Sequence, residues 1–83
     1  MLAIKNYISF GKVEDDTFFV NKKINKALVL HKEGTLIWNY IYKGDKKEVI
    51  ISKLVSVYGE NYETKISKSI DDLIEKLKEY DIL

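Results

Sequence analysis

Ala27-Leu28-Val29-Leu30-His31-Lys32-Glu33-Gly34-Thr35-Leu36-Ile37-Trp38-Asn39-Tyr40-Ile41-Tyr42-Lys43-Gly44 contains the change of period on which the fold turns. Its first four residues form a short apolar run of strand type. From Leu36 onward the apolar residues Leu36, Ile37, Tyr40 and Ile41 fall on one side of a helix. Gly44 can take the left-handed backbone that stops it. The chain therefore passes from sheet to helix near His31.

Upstream of this point, Tyr7-Ile8-Ser9-Phe10 and Thr17-Phe18-Phe19-Val20 are two further strand candidates, rich in β-branched and aromatic residues. Gly11-Lys12 and Glu14-Asp15-Asp16 punctuate the first connection. Asn21-Lys22-Lys23-Ile24-Asn25-Lys26 forms the second, where Asn21 or Asn25 can adopt the left-handed conformation of a tight hairpin. The expectation is a three-stranded antiparallel sheet.

Downstream, Asp45-Lys46-Lys47-Glu48 has the spacing of a capping box, with Asp45 and Glu48 as the capping side chains. Ile50, Leu54, Val57 and Tyr58 mark the inward face of a second helix that stops at Gly59. A third helix starts near Thr64 and carries Ile66, Ile70, Leu73, Ile74 and Leu77 on one stripe, with Lys65, Lys68, Asp71, Lys76 and Lys78 outside it. The order β-β-β-α-α-α predicts one α+β domain over residues 1–83, resembling a winged helix, with the helices on one face of the sheet.

Composition narrows the function. A chain of 83 residues has room for a single modest core, and 46% hydrophobic residues suffice to fold it. A net charge of +1 and the absence of arginine give no global field for nucleic acid or an acidic membrane. Without cysteine there is no disulfide, thiol nucleophile or thiolate metal site. The N-terminal residues lack a basic leader followed by a long apolar run, and no segment is long and apolar enough to span a bilayer, so the expected location is the cytoplasm. His31 is the only histidine and has no second His or Cys with which to build a metal or nucleophilic site. It reads as a helix-start residue. No cofactor, metal or catalytic residue is expected, and Glu14-Asp15-Asp16 reads as a turn with too few oxygens for calcium. Trp38 and Tyr40 read as core.

The stretch from Leu28 to Gly44 resembles the PqqD-like signature, in which a strand ending in Leu-Asn runs into a helix with an Ile-Trp pair and a terminal Gly. The match continues through Tyr58-Gly59, then Ile70, Leu73, Ile74 and Leu77, and ends with Ile82-Leu83; it covers roughly residues 13 to 83. This chain departs from the family at three positions. His31 stands where the family usually has Asn, Ser69 where it often has an acidic residue, and Asp81 where a Gly commonly precedes the final apolar pair.

Members of that family are RiPP recognition elements, which serve ribosomally made, post-translationally modified peptides, or the peptide chaperone of pyrroloquinoline quinone synthesis. Many act beside, or fused to, radical-SAM enzymes, cyclases or leader peptidases. The resemblance implies that a precursor's leader peptide adds as a strand beside the third strand, in the cleft toward the third helix. Residue by residue, it places peptide contacts on Lys26, Ala27, Leu28, Val29 and Leu30, and on Lys65, Ser69, Asp72 and Lys76 of the third helix.

Two function classes follow. A non-catalytic adaptor needs an open sheet edge and affinity for a leader. The alternative, a winged-helix DNA-binding regulator, needs basic residues concentrated on a recognition helix, whereas here acidic residues interrupt every basic run. An enzyme reading ranks third, because no pair of carboxylates points to a pocket. An exposed edge can also self-pair into a homodimer.

Overall fold

The computed structural model describes residues 1–83. Three strands, β1 (Ile8–Val13), β2 (Asp16–Asn21) and β3 (Lys26–Leu30), are followed by α1 (Lys32–Lys43), α2 (Lys47–Tyr58), a 3₁₀ turn at Glu60–Tyr62 and α3 (Glu63–Glu79). The sheet is antiparallel in the order β1-β2-β3, so β1 and β3 are its two edges. The expected α+β architecture is present.

Alternation fixes which side of the sheet is buried. Phe10, Phe19 and Leu28 lie in one cross-strand row and Thr17 and Leu30 in the next, facing the helices. Phe19 is 1% exposed and packs edge-on to Trp38 at 4.9 Å between ring centroids. Phe10 and Tyr42 join the same ring cluster, and Ile37, Ile50, Leu54, Ile66, Ile70, Leu73 and Leu77 complete the core from the helices. Polar atoms inside it are paired: the Thr17 and Thr35 hydroxyls are 2.9 Å apart, and Thr35 Oγ1 donates to the Leu30 carbonyl.

Several local expectations change. Gly11 and Lys12 do not interrupt the first strand but lie within β1, because Val13 still pairs with Asp16 across the two-residue loop Glu14-Asp15. Asn25 is the left-handed residue of the second hairpin (φ 55°), whereas Asn21 is buried. Its Oδ1 accepts from the N–H groups of Lys23 and Ile24, and its Nδ2 donates to the Tyr80 carbonyl.

The capping box is not formed. Gly44 and Asp45 close α1 instead, their N–H groups donating to the carbonyls of Ile41 and Tyr40 in the double pattern of a left-handed C-cap. The Asp45 carboxylate is then taken by Lys53 at 2.7 Å, and α2 begins after Lys46 with no side-chain cap.

On α2 the buried residues are Ile50 and Leu54, with Ile51 and Val55 partly covered. Val57 lies roughly 90° from the centre of that face at 100° per residue, and it is 72% exposed. Tyr58 does point along the face, yet stays half exposed.

The segment before β1 meets the end of α3. Lys5 Nζ and the Tyr7 hydroxyl both donate to the Asp81 carboxylate at 2.6 Å. These hydrogen bonds, from Lys5 first and then Tyr7, hold the Asp81 carboxyl below its ordinary value, and Asp81 in turn raises both donors. Asp81 itself has φ 58°, the left-handed region. That is a backbone glycine adopts most readily and Asp tolerates.

Candidate functional site

Edge strands offer unpaired N–H and C=O groups, and their inward positions decide whether another strand can join. Along β3, Leu28 and Leu30 face the core and are under 10% exposed. The alternation of antiparallel pairing commits their main chain to β2, leaving the N–H and C=O groups of Ala27 and Val29 for a ligand. Ala27 and Val29 point outward and are exposed, as is Lys26, whose Nζ sits 5.8 Å over the Tyr80 ring. Four consecutive uncharged residues, without Gly or Pro, thus form an open edge.

The end of this edge is locked to α1. A Cβ placed on Gly34 would come within 3.3 Å of Leu30 Cβ, so glycine allows the first turn of α1 to sit directly on β3. One turn further on, Leu36 and Ile37 help to line an apolar cleft of about 170 Å³. Leu54, Tyr58, Tyr62 and Ile66 supply the rest of its apolar wall, and Glu33, Lys65 and Ser69 its polar rim. A cavity of roughly 150 Å³ lined by aliphatic and aromatic residues is large enough for a benzene ring; this one can seat a single large side chain.

Of the four α3 residues singled out from the sequence, the structure brings Lys65 and Ser69 to this cleft and leaves Asp72 and Lys76 outside its lining. Asp72 is held by Lys68, one turn away at 2.8 Å, which also raises the Lys68 amine. The neighbouring Asp71 binds Lys47 of α2. Sequence reasoning missed Glu33, Leu36, Tyr58 and Tyr62. Tyr58 and Tyr62 are four residues apart but flank Gly59, whose φ of 104° ends α2. Their convergence depends on that break and the 3₁₀ turn after it, not on helical period.

A solved structure with the same arrangement is TbiB1 in complex with the TbiA(beta) leader peptide. It matches with a TM-score of 0.83 over 99% of this chain and 94% of that one, at 16% sequence identity. The fold is that of TbiB1. At this level of identity the likeness speaks for the fold alone. No protein-family model matches the chain, and no curated protein matches it. No group of His, Cys, Asp or Glu in this TbiB1-like fold is placed to hold a metal ion, and no helix is long and apolar enough to cross a membrane.

Proposed function

We propose that this chain is a non-catalytic peptide-binding protein that takes the leader of a ribosomally made precursor as an added strand on β3 and presents it to a modifying enzyme. The observation that carries this reading is the β3 edge, uncharged from Ala27 to Leu30, joined through α1 to an apolar cleft sized for one side chain. Main-chain hydrogen bonds along Lys26–Leu30 would supply sequence-tolerant affinity, and the cleft would supply selectivity. Lys65 and Ser69 then meet the leader at the cleft, with Asp72 and Lys76 farther along the same helix. The fold shared with a protein solved with a leader peptide supports the reading. The enzyme served is of the radical-SAM, cyclase or leader-peptidase kind that the PqqD-like resemblance implies.

The DNA-binding alternative has less behind it. Asp71, Asp72, Glu75 and Glu79 share the exposed side of α3 with its lysines, and two of these carboxylates already hold Lys47 and Lys68.

Titrating the labelled protein with synthetic leader segments from precursor genes encoded nearby tests the proposal. Saturable binding is expected, weakened about a hundredfold or more by Val29→Pro, which removes an N–H and bends the edge. A circular dichroism spectrum of that variant matching the parent shows that the sheet persists. Salt-sensitive binding to duplex DNA, with none to any leader, would overturn it in favour of the regulator.

A further inference from the structure

The β3 edge ends in two opposite charge poles. At its start stand Lys22 and Lys26, both exposed and in no ion pair, while the Lys23 ammonium turns to the β1 side, 5.2 Å over the Tyr7 ring. At its finish, Glu14, Asp15, Asp16 and Glu33 gather with His31 and Lys32 around one shallow surface depression. The His31 ring, 3.0 Å from Asp16, ties this cluster to the residue that follows β3. Four carboxylates there face one ammonium. Five residues separate the poles by about 17 Å at 3.4 Å per residue, more than the roughly 10 Å over which exposed charges sense each other at 0.1 M salt. Each pole therefore acts on whatever lies beside it.

Between the poles the outer face of the sheet is apolar on one side only. Phe18 and Val29 form one cross-strand pair and Val20 and Ala27 the next; Phe18, Val20 and Val29 are each about 40% exposed. On β1 the same rows end in Gly11 and Ser9. A Cβ on Gly11 would touch nothing within 4 Å, so the Phe18 ring does not cover it. A globular partner lying over the whole face would meet β1 as fully as β3. A strand added at β3 instead sets its outward side chains directly against Ala27 and Val29, at cross-strand distance.

We propose that the ligand of this edge is an extended peptide with a short run that is apolar on both faces, bounded by an acidic residue beside Lys22 and Lys26 and by a basic residue beside Glu14, Asp15 and Asp16. This rests on strand addition at β3 and specifies what the strand must carry. The inward residues of the run meet the cleft, and the outward ones extend the Phe18–Val29 row. The charges at its two ends fix register, because a shift by one residue exchanges the two faces of the strand.

The test uses a displayed library of random twelve-residue peptides selected on the immobilised full chain. The tightest binder is then measured by fluorescence anisotropy at about 20 mM and about 500 mM salt. Selected peptides are expected to carry the apolar run between opposite charges. Exchanging the two end charges should weaken binding about fivefold at low salt and much less at high salt. The variant Lys22→Glu with Lys26→Glu, both surface positions, should reverse that preference. Serine at either alternate set of positions within the run should also weaken binding. If the charge-exchanged peptide binds within twofold at low salt while Val29→Pro still removes binding, the pole inference falls and strand addition stands. If nothing is selected, or if binding ignores Val29→Pro, both fall.

Discussion

β1 and β3 are the two outer strands of one small sheet, and they are guarded differently. β1 carries Lys12 in the row that looks toward the helices, behind Ile8 and Phe10, and Gly11 beside it. An inward-pointing charge and a residue without a side chain are both means by which natural sheets discourage further pairing. β3 has neither between Ala27 and Leu30. Its inward positions are leucines sunk in the core, and its far end is pinned through Gly34 to the helix that lines the cleft. Whether an edge is open is thus decided less by its exposed residues than by what its hidden face can tolerate.

Removing what both edges share gives the largest expected effect. Trp38→Ala takes the central ring from the cluster with Phe10 of β1, Phe19 of β2 and Tyr42, part of the one core that Leu28 and Leu30 of β3 also enter. Such a truncation costs about 3–5 kcal/mol, a large part of the stability of a domain this size, and urea denaturation should show it. A loss below about 1 kcal/mol would mean that the edges are not held by a common core.

Lys12→Val removes the guard from β1 and should make the edges alike. Sedimentation at about 100 µM should then show more dimer than the parent, because an unguarded edge is a template for pairing. An unchanged distribution would place the protection of β1 elsewhere.

The smallest effect concerns the anchor of β1 alone. Asp81→Asn keeps a residue that tolerates the left-handed backbone and loses the charge that Lys5 and Tyr7 address. Because the Asp81 carboxyl is lowered when folded, its contribution is present above its ordinary value of 3.8 and fades as pH falls through the lowered value. Because Lys5 and Tyr7 are raised when folded, theirs is present below 10.5 and 10.0 and fades as pH rises beyond those values. The stability difference between parent and variant should therefore be greatest from about pH 4 to about pH 10, narrowing on both sides. Peptide affinity at β3 should not move.

The order of elements could be read from the sequence because the two halves differ in kind: short apolar runs of strand-forming residues at Phe18–Val20 and Ala27–Leu30, then the helical stripe from Ile66 to Leu77. Local misreadings arose where one residue served two roles. Gly11-Lys12 resembled punctuation, but strand pairing continued through it to Val13. Asp45 had the spacing of a cap, but its carboxylate went to Lys53 and its N–H to the end of α1. For the site, spacing on α3 found Lys65 and Ser69 at the cleft. It could not find Tyr58 and Tyr62, whose approach is made by the positive-φ break at Gly59 and the 3₁₀ turn after it, nor Leu36, whose stripe serves core and cleft at once.

The Lys5–Asp81 pair has a consequence for how such a module can be connected. The segment leading into β1 and the segment leaving α3 are tied together there, on the side where Asn21 also reaches Tyr80, while Met1 and Leu2 run on to the end of α1. A domain whose entering and leaving segments are neighbours can be spliced into a surface loop of a host protein as a single insert on short linkers. Nothing in that rewiring requires β3 or its cleft to be disturbed. Carriage on a larger catalytic chain is therefore a matter of gene arrangement rather than of redesigning the fold.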